Sequence, residues 1–223
     1  MDHLPIFVKL DRQPCLVVGG GAVAERKVAL LRRAGARVTV VAPRLNSRLA
    51  AMREQGEISH IPAFFDALQL EGQRLVVAAT ADRGVNAAVA RAAAAAGLLC
   101  NAVDDNAASS FILPAIVDRA PVTIAIGTGG NAPVLAQRLK TKIEASLPVR
   151  IGRLAELAGR WREPVKQRFA AALERRRFWH GFFDGPIAGD ILAGRAADPD
   201  ERMQQALRGG LVAVPCRPCA SRW

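Results

Sequence analysis

The chain has 223 residues, of which 51% are hydrophobic and 23% charged, a composition typical of folded globular proteins rather than disordered or fibrous ones. No apolar run approaches the ~18 residues that a membrane-spanning helix needs, and residues 1–14 lack the basic start and apolar core of a signal peptide. With only four cysteines, no disulfide scaffold is expected, and these features together predict a cytoplasmic protein.

The formal net charge is +11, and the basic excess is spread along the chain rather than confined to a tail. A basic surface suits nucleic acid, anionic lipid or a polyanionic small molecule. The chain has no tyrosine, only 5% aromatic residues and no recognisable nucleic-acid motif. A nucleic-acid-binding protein is therefore the weaker alternative, and we expect neither nucleic acid nor membrane as a partner.

Short apolar runs alternate with helical patterns through the first 105 residues. Strands are predicted at residues 15–18, 37–42, 58–61, 75–79 and 98–103. Helices are predicted at residues 22–34, 45–55 and 85–96, two of them ended by Gly35 and Gly97. This alternation predicts an α/β fold in which helices cover a Rossmann-like parallel sheet.

The pattern changes after residue 111. Two apolar strands at 112–117 and 122–126 are joined by a short link, which predicts an antiparallel hairpin, and a helix follows at 132–147. Amphipathic helices are predicted at 150–158 and 163–183. We therefore expect four parts: a Rossmann-like domain, a small hairpin-plus-helix element, a helical C-terminal domain and an atypical tail, at residues 1–111, 112–148, 149–208 and 209–223.

A glycine-rich turn lies between the first predicted strand and the first predicted helix. Gly19 and Gly21 occupy the first two positions of the dinucleotide fingerprint, and Ala24 takes the third, small position. Glycine permits a tight turn and a close approach of backbone N–H groups to a pyrophosphate, and the helix N-terminus adds partial positive charge. The pattern predicts dinucleotide binding; the alternative is a glycine turn that serves close packing only.

The end of the second strand bears on which dinucleotide binds. NAD sites usually place an Asp or Glu there for the ribose hydroxyls, but this chain has Val-Ala-Pro-Arg at residues 41–44. An arginine at position 44 would suit the 2′-phosphate of NADP. The residues alone leave the choice of cofactor open.

Polar residues cluster after the fourth and fifth strands, where open α/β sheets bind ligands. They are Thr80, Asp82, Asn86, Asn101, Asp104 and Asp105. Asp104 lies just beyond the fifth strand, so we expect it to face the crevice as a general base; the alternative is a cap or turn residue.

Other reactive side chains give weaker patterns. The hydroxyls of Ser109, Ser110 and Thr128 lack the His and Asp partners of a catalytic triad. The three histidines are scattered, and Cys216 and Cys219 form a single CxxC pair, so we predict no metal-binding residues. Arginines 175–177 predict either a solvated basic face or a site that attracts substrate carboxylates.

Several segments together resemble one family. They are MDHLPIF, VVGGGAVAERK, AATADRGVN, CNAVDD, SFILPAIVDR, GTGGNAPVLAQRLK and ERRRFW, which run in this order through residues 1–183. The chain resembles the precorrin-2 dehydrogenase/sirohydrochlorin ferrochelatase module of siroheme synthase.

The resemblance implies an activity and a set of site residues. It implies a homodimer, joined through the hairpin element, that oxidises precorrin-2 to sirohydrochlorin with NAD and then inserts Fe²⁺, as a substrate, to give siroheme. The catalytic aspartate of the family falls on Asp104, and its NAD contacts fall on Ala22, Val23, Pro43 and Arg44. We add Thr80 to the cofactor site. For the tetrapyrrole we expect Asn101, Ser109 and Thr128, the last at a position where the family has a phosphorylated serine.

The end of the chain departs from the family pattern. Residues 209–223 do not resemble the opening of the methyltransferase module that follows in bacterial siroheme synthases. The sequence therefore predicts a truncated or frame-disrupted fusion, with a natural stand-alone module as the alternative. For function, the alternative to the enzyme is a non-catalytic NAD-binding regulatory module.

Overall fold

A computed structural model describes residues 2–195 and 198–209. The chain divides into two compact units, one made of Met1–Leu113 with Gly129–Asn131 and the other of Pro114–Thr128 with Ala132–Trp223. The predicted tail beyond residue 209, with Cys216 and Cys219, lies outside the described residues.

The first unit contains one five-stranded parallel sheet with the strand order β3-β2-β1-β4-β5. The strands are β1 (Pro14–Val18), β2 (Arg37–Val41), β3 (Ser59–Ile61), β4 (Leu75–Ala78) and β5 (Leu99–Ala102). The helices are α1 (Ala22–Arg33), α2 (Ser47–Glu54) and α3 (Arg83–Ala95), with a 3-10 turn at Ala67–Leu70. The predicted Rossmann-like sheet is thus confirmed, and its switch point lies between β1 and β4.

Alternate residues of each strand enter two separate hydrophobic clusters. In β1, Cys15 and Val17 belong to one cluster, whereas Leu16 and Val18 belong to the other. Successive side chains of a strand point to opposite faces, so both faces of this sheet are covered. Full coverage explains why these strands are continuous apolar runs rather than alternating ones.

The second unit joins a hairpin to five helices among its described residues. The elements are β6 (Ala115–Arg119), β7 (Val122–Ile126), α4 (Pro133–Ser146), α5 (Ile151–Arg168), α6 (Ala172–Phe183), α7 (Pro186–Ala193) and α8 (Pro199–Gly209). The hairpin is antiparallel, as predicted. The helical part has its own core, in which Leu154, Phe182 and Met203 are fully buried. Gly152 lets α5 approach the hairpin turn, because a side chain there would strike the carbonyl of Ala120.

Two predicted boundaries in this unit are wrong. The break expected at residues 159–162 does not occur, and α5 continues through Pro164 to Arg168. Leu157 and Val165, on either side of the expected break, are both buried in the core, so tertiary packing outweighs the local helix breakers. The chain instead breaks at residues 169–171.

The start of the hairpin is also later than expected, at Ala115 rather than at residue 112. Pro114 has no N–H group for the ladder, which places the strand after it. The helices α7 and α8 were not predicted as separate elements.

Arg175 has a structural role in the described part of the chain. Its guanidinium donates to the carbonyls of Phe169 and Ala170, in the link between α5 and α6. Phe178, from the same helix, is buried, while Arg176 and Arg177 are exposed. Arg175 therefore fits neither interpretation, whereas the exposure of Arg176 and Arg177 agrees with both.

None of the helices in the described residues is both long enough and apolar enough to cross a membrane.

Burial of two thiols predicts a loss of stability at alkaline pH. Burial raises the pKa of both Cys15 and Cys100 from 9.0 to about 11. Between these values the unfolded chain releases the thiol protons while the folded chain keeps them, so the free energy of unfolding should fall as pH rises from about 9 to about 11. Urea unfolding measured at about pH 8 and about pH 10.5 checks this. The double variant Cys15→Ala/Cys100→Ala should show a smaller decline, and an equal decline would contradict the assignment.

Candidate functional site

A cleft of about 1100 Å³ opens at the carboxyl ends of the parallel strands in the first unit. It is lined by the turns that follow β1, β2, β3, β4 and β5. Eight of the residues expected from the sequence line it together: Gly19, Gly21, Ala22, Val23, Pro43, Arg44, Thr80 and Asp104. The volume is of the size that binds extended small molecules, and the position matches the ligand crevice of open α/β sheets.

The glycine turn forms the floor of this cleft and touches two neighbouring loops. Gly19 has a φ of +126°, and a side chain on it would strike the carbonyl of Ala79. A side chain on Gly20 would likewise strike the carbonyl of Arg44. Gly20 also accepts a hydrogen bond from the N–H of Asn46 at 2.8 Å. The sequence did not single out Gly20, because its contact comes from the β2–α2 loop and leaves no local signal.

Gly21 differs from its two neighbours because a side chain on it would meet no atom within 4 Å. Gly21 is the N-cap of α1, and no side chain caps the first turn of that helix. The N–H groups of the first turn are therefore available to an external acceptor, and the helix dipole favours an anion there. This open, uncapped N-terminus fits a pyrophosphate.

The turn after β4 is held by a pair of polar side chains. The hydroxyl of Thr80 lies 2.8 Å from Oδ1 of Asn86, and the Asn86 amide donates to the carbonyl of Thr80 at 3.0 Å. Asp82 caps α3 by accepting from the N–H groups of Gly84 and Val85. Thr80 therefore fixes the shape of a loop that lines the cleft, and any contact with cofactor stays a prediction.

Two aromatic residues on the cleft were missed at the sequence level. Phe64 and Phe65 follow β3 and line the same cleft, with the side chain of Phe64 largely exposed. Phe65 packs partly into the core. Two adjacent phenylalanines after a weak strand could have indicated a binding surface. Their position on the cleft, however, follows from the strand order, which the sequence does not show directly.

Asp104 is the second residue after the end of β5 and has an unusual backbone. Its φ is +60°, a left-handed conformation that Asp adopts more readily than most residues. The side chain is exposed, and within the described residues no hydrogen bond reaches it. Its carboxylate is therefore available to a ligand.

The charge of Asp104 affects the pKa of Lys27, on α1. Burial lowers the pKa of Lys27, and the charge of Arg26 lowers it further, whereas the negative charge of Asp104 opposes the shift. The neighbouring Asp105 instead accepts from the N–H of Ala108 at 3.0 Å, as in a turn. The two adjacent carboxylates thus have different surroundings.

Asn101 and Ser109 bind the main chain beside Asp104. The Asn101 amide is buried and donates to the carbonyl of Phe111 at 3.1 Å. The Ser109 hydroxyl accepts from the N–H of Ala102 at 2.9 Å and lies 2.7 Å from the carbonyl of Asp105. These bonds hold the segment after β5 in place. The expected contact of both residues with substrate stays a prediction.

Thr128 belongs to the second unit. Its hydroxyl accepts a hydrogen bond from the N–H of Ala132, just before α4, at 3.3 Å. Its role toward substrate, and its modification, stay predictions. Across residues 2–195 and 198–209, no three His, Cys, Asp or Glu side chains are grouped so that they could hold a metal ion.

Two family models match the chain. The model described as "Putative NAD(P)-binding" matches residues 6–115, and the model described as "Sirohaem synthase dimerisation region" matches residues 150–207. The second match covers the helical part of the second unit, whereas the sequence assigned dimerisation to residues 112–148.

Curated relatives match nearly the whole chain. A siroheme synthase of Methylobacillus flagellatus is 49% identical over 209 residues, which are 94% of this chain and 45% of that protein. Siroheme synthase 1 of Yersinia enterocolitica is 50% identical over 209 residues, again 94% of this chain and 44% of the relative. The chain spans less than half the length of these relatives.

A solved structure shares the fold. The chain described as SirC, precorrin-2 dehydrogenase, superposes with a TM-score of 0.69 at 19% identity, over 93% of this chain and 100% of the other.

The glycine turn yields a prediction that separates folding from binding. Gly21→Asp should leave the fold intact, because its side chain enters open space, yet abolish dinucleotide binding by placing a negative charge at the helix N-terminus. Gly20→Ala should instead destabilise the fold, by roughly 1–3 kcal/mol, because it overpacks a backbone contact. Thermal unfolding and calorimetric titration with NAD⁺ measure the two effects. Normal NAD⁺ affinity in Gly21→Asp would show that the dinucleotide binds elsewhere.

Proposed function

We propose that this chain, which belongs to the siroheme synthase family and matches the N-terminal part of its members, is an NAD-dependent precorrin-2 dehydrogenase that also inserts Fe²⁺ into sirohydrochlorin. One observation carries the proposal: a single cleft contains both an uncapped helix N-terminus behind a glycine turn and the unpaired carboxylate of Asp104. The first feature suits a dinucleotide and the second suits proton transfer.

The dinucleotide would lie along the cleft from the β2 side to the β4 side. The first-turn N–H groups of α1, with Gly19, Gly21, Ala22 and Val23 around them, would hold its pyrophosphate. Pro43 and Arg44 would border the adenosine. Thr80 would shape the loop on the other side. Bound NAD⁺ supplies the hydride acceptor for the oxidation.

Asp104 would handle the proton of the oxidation. Converting precorrin-2 to sirohydrochlorin removes two hydrogens, one as hydride and one as a proton. The exposed carboxylate of Asp104 has no hydrogen-bond donor among the described residues, so it is free to accept that proton. Lys27, on α1, lies near enough to this carboxylate for the charge of Asp104 to raise the pKa of the lysine.

The same carboxylate would serve the metal insertion. Fe²⁺ enters as a substrate and displaces two protons from the pyrrole nitrogens of sirohydrochlorin, and Asp104 would accept protons released at the ring. The nitrogens of the macrocycle would bind the metal, which requires no cluster of metal ligands from the chain.

Charge would help to bring the substrate to the site. The tetrapyrrole is a polycarboxylate, and the chain carries a net charge of +11. The exposed Arg176 and Arg177 are candidates for carboxylate contacts. Asn101 and Ser109 would contribute by holding the loop of Asp104, and Thr128, in the link between β7 and α4, is a further candidate for contact with substrate.

We also propose that the chain forms a homodimer, and that its hairpin-plus-helix element at residues 112–148 takes part in the interface together with the matched dimerisation region at residues 150–207. The helix α4 exposes three large apolar side chains: Val134, Leu135 and Leu139. Such a concentration on one helix is typical of a protein interface.

The interface proposal predicts a change in mass. Leu135→Glu should shift the protein from dimer to monomer in analytical ultracentrifugation, because it would bury a charge in the interface. Gln137→Glu, an exposed polar position of the same helix, should leave the dimer unchanged. A monomeric wild-type protein, or a Leu135→Glu dimer of unchanged stability, would contradict the proposed interface.

Asp104 provides the decisive test of the activity. Asp104→Asn should lower the rate of precorrin-2 oxidation by at least about a hundredfold, as expected for loss of a general base, and should also lower Fe²⁺ insertion into supplied sirohydrochlorin. Absorbance with precorrin-2 and NAD⁺, followed by Fe²⁺, measures both steps, and calorimetry should show that NAD⁺ still binds.

The neighbouring variant Asp105→Asn serves as the comparison. It keeps an acceptor for the N–H of Ala108 and should retain far more activity than Asp104→Asn. Wild-type oxidation by Asp104→Asn would overturn the assignment. Binding of NAD⁺ without turnover of any tetrapyrrole by the unmodified chain would instead indicate a regulatory module.

A further inference from the structure

The adenosine side of the cleft lacks a carboxylate. In dinucleotide-binding domains, the group at the end of the second strand meets the 2′ position of the adenosine ribose, and an acid there selects NAD. Here β2 ends at Val41, and Ala42, Pro43 and Arg44 follow it along the cleft wall. The carboxylates that line the cleft are Asp82, Asp104 and Asp105, all after β4 or β5.

Glu25, in the first turn of α1, has another partner, because it accepts a hydrogen bond from the side-chain amide of Asn46 at 2.8 Å. Glu25 does not line the cleft. The described part of the chain therefore offers no acid at this end to hold a ribose 2′-hydroxyl or to repel a 2′-phosphate.

Arg44 is the cation at this position. Its side chain is exposed, and no hydrogen bond or ion pair to it occurs among the described residues. Two contacts hold the backbone around Arg44. The carbonyl of Arg44 packs directly on Gly20, and the N–H of Asn46 donates to the carbonyl of Gly20. An uncommitted guanidinium is thus carried by a fixed segment of the cleft wall.

We infer that the dinucleotide cleft also binds NADP⁺, and that Arg44 is the residue that binds its 2′-phosphate. The planar guanidinium can donate two parallel hydrogen bonds to phosphate oxygens, and such charge-assisted bonds are about twice as strong as neutral ones. The inference rests on the dinucleotide site of the proposed function and adds which of the two dinucleotides that site accepts.

Calorimetric titration of the full chain with NAD⁺ and with NADP⁺ tests the inference without any tetrapyrrole. Wild-type protein should bind NADP⁺ with a Kd within about tenfold of that for NAD⁺. Arg44→Ala should shift the ratio of the two affinities toward NAD⁺ by about tenfold or more, as expected for loss of a charge-assisted hydrogen bond. Arg91→Ala removes the same charge from an exposed position of α3 outside the cleft and should leave the ratio unchanged.

Several results would overturn the inference. They are NADP⁺ binding more than about a hundredfold weaker than NAD⁺ in the wild type, a ratio in Arg44→Ala within about threefold of wild type, or an equal shift in Arg91→Ala. Binding of neither dinucleotide would overturn both the inference and the proposed function. Arg44-dependent binding of NADP⁺ with no oxidation of precorrin-2 would support the inference and contradict the proposed activity.

Discussion

The close packing of the glycine turn against two neighbouring loops determines the shape of the cleft. Gly19 touches the carbonyl of Ala79 beyond β4, and Gly20 touches the carbonyl of Arg44 beyond β2. Those loops are the two walls of the cleft, so the same contacts set the distance between the walls. Protein interiors are packed tightly enough that one added methyl group is felt. Folding and binding are therefore linked at Gly19 and Gly20 but separable at Gly21.

Most polar side chains around the cleft bind the main chain rather than face the open space. Thr80 and Asn86 hold the turn after β4, and Asn101 and Ser109 hold the segment after β5. Buried polar groups need hydrogen-bond partners. Here the bonds of these four side chains also fix the loops after β4 and β5. Asp104 and Arg44 are exceptions, because neither side chain has such a bond among the described residues. Several residues thus position the loops, and the carboxylate that we propose for proton transfer stays open to a ligand.

Local sequence signals predicted the sheet well. Apolar runs bounded by glycine or proline placed all five parallel strands within one or two residues of their observed ends, and the fingerprint identified Gly19 and Gly21. Local sequence signals do not show which distant segments come into contact. Gly20 and Phe64 were missed because their places on the cleft depend on such contacts. In the helical part, two separate helices were predicted on either side of residues 159–162, but buried residues on both sides keep α5 continuous. Tertiary packing, rather than local helix propensity, therefore sets the length of α5.

The left-handed backbone of Asp104 has a consequence for engineering. Glycine adopts such a φ at little cost, while any other residue holds it at a cost on the order of 1 kcal/mol. A library screened only for heat tolerance would therefore enrich glycine at this position and lose the carboxylate. Selection for stability alone would then remove the group that we propose as the general base, so residue 104 should be kept fixed in such a library.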